Sequence, residues 1–263
     1  MKYMGSKRRI AKQIASYINN SASILGIKNY YEPFCGGCSV VEEVNIQNRY
    51  CSDANNFLIA LLKEIQNGAK EISKLGVIPE ELWKDCKNNQ NTGKYPDWFI
   101  GYVGFYGSFR SKWYDSYFSE HLDSKNGRIR NNAESIPSLI EESKRLNGVE
   151  FNCSNYKDIV VKSPSVIYCD APYRYTEQYM IKHFNYEEYY EWLVAMSKNN
   201  LVLISEYYMP SDKFEILCEY DMMGAGVGHG LSGDEEYTSK EIVYYVKGGY
   251  GTELFSEDTD DYF

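Results

Sequence analysis

The stretch NYYEPFCGGCSV (29–40) constrains the fold of this chain more than any other. A short strand-like run ends at Pro33, where the backbone donor is lost, and Gly36-Gly37 then turns the chain. RYCS (49–52) reads as a second short strand, stopped by Asp53. After it, Phe57, Leu58, Leu61, Leu62 and Ile65 trace one face of a helix that ends near Gly68. Upstream, Ile10, Ile14 and Ile18 recur at helical spacing. Strand, glycine turn, helix, strand, acid is the order of α/β sheets that bind nucleotides.

The same stretch sets Cys35 and Cys38 at C-x-x-C spacing, the spacing of a redox pair or of half a zinc site. A zinc site needs two more ligands, but His121, His183 and His229 are isolated and no second C-x-x-C exists. Seven cysteines scattered over 263 residues are an odd number, which argues against a disulfide framework and fits reduced, buried thiols. The glycines shape the turn and the cysteines fill space; no metal is expected.

The length allows one large domain or one domain with an insert. The N-terminal segment is basic without a continuous apolar run, so it does not read as a signal peptide. No stretch approaches the roughly 18 apolar residues of a membrane span, and a cytoplasmic protein is expected. A net charge of −9 argues at first against a nucleic-acid partner. Its distribution changes that. Residues 1–31 hold Lys2, Lys7, Arg8, Arg9, Lys12 and Lys28 with no acid. An acidic tail (251–263) holds Glu253, Glu257, Asp258, Asp260 and Asp261, more than half of the imbalance.

Farther along, WFIGYVGFYGSFRSKWYDSYF shows neither a period of 2 nor one of 3.6, so 77–132 reads as an irregular insert. Residues 133–146 read as a helix, VEFNCSN as a strand, and SVIYCD (165–170) as a buried strand running into APY. Asn185 and Glu188 resemble a capping box before a helix with Tyr189, Tyr190 and Leu193. LVLISEYY, KFEILCEY and KEIVYYVK complete the sheet.

Four stretches, KYMGSKRRI, EPFCGGCSV, CSDAN and YCDAPY, together and in this order resemble the Dam-like DNA adenine-N6 methyltransferases. GYVGFYGSF, Y-C-D-x-P-Y…T…Y and SEY are similar to phage-type members. The resemblance covers essentially the whole chain. It implies a Rossmann-like class I methyltransferase sheet with an inserted target-recognition subdomain. The implied division is 1–76 and 147–250 for the S-adenosylmethionine-binding catalytic domain, 77–146 for the insert and 251–263 for the tail.

By that resemblance Tyr3, Lys7, Glu32, Pro33, Phe34 and Gly36 contact the cofactor. Asp53, at the end of the second strand, is placed to accept from its ribose hydroxyls, and Tyr156, just after the third, to pack on its adenine. Asp53 as a helix N-cap and Lys7 as an exposed helix charge are the plainer readings of those two residues. Asp170, Ala171, Pro172 and Tyr173 form the implied reaction site: carboxylate, carbonyl, a stiffening ring and an aromatic face for a flipped base. Asp170 also belongs to the cofactor set. The family's first proline is Ala171 here, which keeps the carbonyl and gives up rigidity. In the insert, Arg110 and Lys112 with Trp113, and Lys125, Arg128 and Arg130 with Asn131 and Asn132, suit double-stranded DNA: arginine reads guanine, asparagine reads adenine and lysine meets phosphate. The expected activity is site-specific methylation of the adenine N6 amine. A cofactor-binding but weakly active DNA-binding homologue, and a methyltransferase of RNA or a protein amide, are the alternatives.

Overall fold

The computed structural model describes residues 1–118, 121–123, 128–174, 184–221 and 240–255. Hydrogen bonding links seven strands in the order β5-β2-β1-β6-β7-β9-β8. They are β1 (Asn29–Glu32), β2 (Asn48–Asp53), β5 (Val149–Cys153), β6 (Val166–Cys169), β7 (Leu201–Glu206), β8 (Phe214–Asp221) and β9 (Lys240–Val246). The antiparallel pair β3 (His121–Asp123) and β4 (Arg128–Arg130) stands apart. Among the described residues six helices accompany them: α1 (Ala11–Leu25), α2 (Asn56–Gln66), α3 (Glu80–Asn88), α4 (Asp97–Tyr106), α5 (Ile136–Arg145) and α6 (Tyr186–Ser197). The α/β expectation stands.

The chain divides into two compact units. The first comprises Met1–Ala11, Cys35–Glu43 and Tyr50–Tyr156. Its core is built on α2, whose Phe57, Leu58, Leu61, Leu62 and Ile65 are all buried. Asn55 caps that helix, its side chain accepting from the Phe57 and Leu58 N–H groups. The second unit comprises Lys12–Phe34, Val44–Arg49 and Lys157–Phe263. Here β1, β6 and β7 run parallel, while β9 pairs antiparallel to both β7 and β8. Every residue of β6 and β7 is buried, the pattern of strands covered on both faces. Asn185 caps α6 by accepting the Glu188 N–H, as its spacing predicts.

The stretch read as irregular needs correcting. It holds α3 and α4, and Ile100 to Tyr106 of α4 are all buried. A helix buried on every side has no polar face, so its sequence carries no amphipathic period. Two glycines allow this close embrace. A Cβ on Gly101 would lie 2.3 Å from the Phe57 carbonyl oxygen of α2, and one on Gly104 2.5 Å from the Trp113 ring. Trp113 in turn stacks on Phe57 with centroids 5.6 Å apart.

The Gly101→Ala variant is expected to lose about 1–3 kcal/mol of stability, the usual cost of overpacking. Gly76→Ala, where a Cβ meets nothing within 4 Å, serves as the control. Urea unfolding checks this; equal midpoints for the two variants would contradict the packing described.

Candidate active site

In the first unit the glycine turn is tied to the end of β2 by one carboxylate. The Asp53 Oδ2 accepts the Gly36 N–H at 3.3 Å and Oδ1 accepts the Asn55 N–H at 2.9 Å. The Cys35 N–H adds a bond to the Ser52 carbonyl at 3.0 Å. Gly36 adopts φ +44, a region that favours glycine. Tyr3 lies over the turn, so a Cβ on Gly37 would sit 2.7 Å from the Tyr3 Cβ. Burial raises the Asp53 carboxyl to about 6, although the Asn55 and Gly36 N–H groups pull the other way. Asn55, not Asp53, caps the helix with its side chain, while Asp53 joins the N–H of that cap residue to the Gly36 N–H of the turn. Tyr156 is buried in a short 3-10 turn after β5.

Lys7 is buried, 5 % exposed, with Nζ 3.4 Å from the Gly5 carbonyl in the turn before α1. The exposed-charge reading of Lys7 is therefore corrected. Cys35, Cys38 and Cys51 are buried free thiols in mutual hydrogen-bonding contact. Burial pushes the Cys38 thiol up, but hydrogen bonds from Cys35 and Cys51 outweigh it and bring it to about 5. Among the described residues no group of His, Cys, Asp or Glu is arranged to hold a metal ion.

In the second unit β1 and β6 pair in register, Tyr31 opposite Ile167. Their carboxyl ends therefore bring Glu32-Pro33-Phe34 and Asp170-Ala171-Pro172 out at one edge of the parallel strands. Ligands bind at this end in open α/β sheets. Glu32 is buried, and its Oε2 accepts the Tyr30 hydroxyl at 2.8 Å. Phe34 meets Tyr189 edge-on at 5.7 Å. Below the loop, the Tyr168 and Ser205 hydroxyls share a hydrogen bond of 2.7 Å.

The loop that follows β6 is anchored at each residue for which a partner is resolved. The Tyr186 hydroxyl donates to the Pro172 carbonyl at 3.0 Å. The Tyr173 hydroxyl donates to Glu241, and its ring meets Tyr207 at 4.7 Å and 81°. The Arg174 N–H donates to Glu206 Oε2 at 3.3 Å, and the Tyr207 N–H to Oε1 at 2.8 Å. Burial raises the Glu206 carboxyl to about 7, with Asp170 and Glu241 adding to the rise. Sequence reasoning missed Glu206, Glu241, Tyr186 and Tyr207. SEYY held a signal for two of them; Glu241 sits in a strand pattern where an acid reads as solvent-facing.

Of the residues proposed from sequence for DNA, Arg110 is exposed, stacks over Phe109 at 5.3 Å and holds φ +55. Lys112 pairs with Asp115 at 3.4 Å. Arg128 and Arg130 lie on β4. Asn131 and Asn132 have other work: Asn131 accepts the Ala133 N–H, and buried Asn132 bonds both the N–H and the carbonyl of Ile78. Lys125, the T…Y stretch after Tyr173, His183, His229 and Glu257, Asp258, Asp260 and Asp261 of the tail lie outside the described residues.

No helix among the described residues is long and apolar enough to cross a membrane. Among curated proteins, no relative matches the chain. The family model of the D12 class N6 adenine-specific DNA methyltransferases matches residues 3–192, more than half of the chain and all four sequence stretches except Lys2. That family has a Rossmann-like class I fold and takes its methyl group from S-adenosylmethionine; its substrate is DNA, not RNA or a protein amide. The chain belongs to the D12 class N6 adenine-specific DNA methyltransferase family.

Proposed function

We propose that Asp170 and Ala171 hold the exocyclic amine of a flipped adenine in double-stranded DNA, at one recognition sequence, for methylation. The observation that carries this reading is the anchored loop Ala171–Arg174, which leaves a fully buried parallel strand with its carbonyl, ring and backbone N–H each held by a named partner. Adenine's amine is a poor nucleophile because its lone pair is delocalised into the ring. A carboxylate and a carbonyl accepting its two N–H bonds fix one geometry and stabilise the positive charge that grows on nitrogen. Tyr173 offers the face on which the extruded base stacks. Bound S-adenosylmethionine supplies the methyl group as a sulfonium electrophile.

The donor set around Asp53 fits that cofactor. The Asp53 oxygens accept the Gly36 and Asn55 N–H groups, and with four lone pairs between them keep room for a ribose hydroxyl. Gly36 with Tyr3 and Lys7 shapes the turn, Glu32, Pro33 and Phe34 receive the methionine end, and Tyr156 packs on the adenine. In the insert, Arg110, Lys112, Arg128 and Arg130 contact DNA; Arg110 is exposed on a strained turn. We assign 1–76 and 147–250 to catalysis, 77–146 to target recognition and 251–263 to an acidic tail. Seven free cysteines support a cytoplasmic setting.

Three outcomes follow. Asp170→Ala removes an interaction that strengthens in the transition state, so turnover should fall by about 10² or more with DNA binding largely intact. Near-normal turnover would defeat the reading. Ala171→Pro keeps the carbonyl and restricts the backbone; its entropic gain of roughly 0.4–1 kcal/mol changes the rate by at most about fivefold. A folded, cofactor-binding but inactive Ala171→Pro protein would show that this loop is shaped differently from the family's.

The third outcome concerns pH. The folded Asp53 carboxyl lies above its usual value, at about 6, so the acceptor form that binds ribose is lost as pH falls through that point. Cofactor affinity measured by calorimetry should weaken about tenfold from pH 7 to pH 5. Asp53→Asn should bind more weakly and without that slope. An equally steep slope in Asp53→Asn would place the titration elsewhere.

A further inference from the structure

The reaction loop is surrounded by more buried acid than methyl transfer requires. Glu206 and Glu241 are 3 % and 4 % exposed, and the charges of Asp170 and Glu241 disfavour the ionised form of Glu206. An apolar side chain would fill either position without the cost of desolvating a carboxylate. Both acids instead end on the loop. Glu206, the last residue of β7, accepts the Arg174 and Tyr207 N–H groups and so joins the backbone after Tyr173 to the backbone after β7. Glu241, the second residue of β9, accepts the Tyr173 hydroxyl. The Tyr173 ring is thereby held at its tip by Glu241 and at its edge by Tyr207.

Ala171 gives this arrangement its purpose. A proline there would fix its own φ and hold Asp170 in extended backbone. Alanine does neither, so rigidity must come from elsewhere. We propose that Glu241 is a positioning residue for methyl transfer: its bond to Tyr173 sets the plane against which the target adenine stacks, and stiffens a loop that lacks the proline ring. Glu206 does the same for the backbone one residue on. This inference rests on the reading of Asp170–Tyr173 as the reaction loop.

A double-mutant cycle on the intact protein tests it, reading kcat, KM for DNA and calorimetric S-adenosylmethionine affinity. Tyr173→Phe and Glu241→Ala remove the same charge-assisted bond from opposite ends. Each should lower kcat roughly tenfold, leave cofactor affinity within about twofold, and combine with no further loss. Glu241→Gln keeps an acceptor for the hydroxyl and should retain most of the turnover. Ala171→Pro introduced into Glu241→Ala should return part of the lost kcat, a rescue that a merely structural role for Glu241 would not give. Losses that multiply in the double variant, or a Tyr173→Phe enzyme with unchanged kcat, overturn the proposal; the latter decides it even if Glu241→Ala fails to fold. Asp170→Ala run in parallel separates the two claims. If it is inactive while Tyr173→Phe is normal, only the role of Glu241 falls; if both are normal, the reaction-loop reading falls with it.

Discussion

The carboxylate of Asp53 is the constraint on which the glycine turn of this protein depends. It closes two backbone N–H groups, one from the glycine turn and one from the start of α2. The turn therefore keeps its φ +44 at Gly36, and helix and turn are held at the same strand end. Burial works against the arrangement by favouring the neutral acid. Because the folded carboxyl titrates above its unfolded value, its ionisation costs stability as pH rises through about 6, and a ligand that donates to it recovers part of that cost.

The second unit solves a different problem. The loop after β6 leaves a fully buried strand, and side chains from other elements hold it in place. Tyr186, Glu206, Glu241 and Tyr207 do this, each from α6, β7, β9 or the residue after β7. Burial, with the charges of Asp170 and Glu241 adding to it, raises the Glu206 carboxyl to about 7. Such crowding belongs where charge develops during a reaction. An amine that turns positive as it attacks would be stabilised by it.

Much of this was legible in the sequence because local rules dominate where elements begin and end. The turn glycines, the Asn185 cap and the buried β6 follow from residue types at fixed spacing, and four ordered motifs carry the family. What escaped was set by tertiary packing. Buried α4 has no polar face and so no period, and Gly101 looks like a helix breaker until it meets α2 at the Phe57 carbonyl. Lys7 reads as a helix-surface charge but is buried in a turn. Asn132 belongs by its neighbours to a DNA-reading loop, yet it bonds the Ile78 backbone 54 residues away. Glu241 occupies a strand position where alternation suggests solvent, and only the return of β9 beside β7 brings it to Tyr173. Contacts so distant in sequence leave no local trace.

The account stands most directly on the identity of the methylated atom. Purified protein should be incubated with unmethylated duplex DNA and S-adenosylmethionine carrying a labelled methyl group, and the DNA then digested to nucleosides and mapped. The expected product is N6-methyladenine confined to one short sequence context, absent when Asp170 is alanine. Label in a cytosine, or no label in DNA from a protein that binds the cofactor, would contradict it.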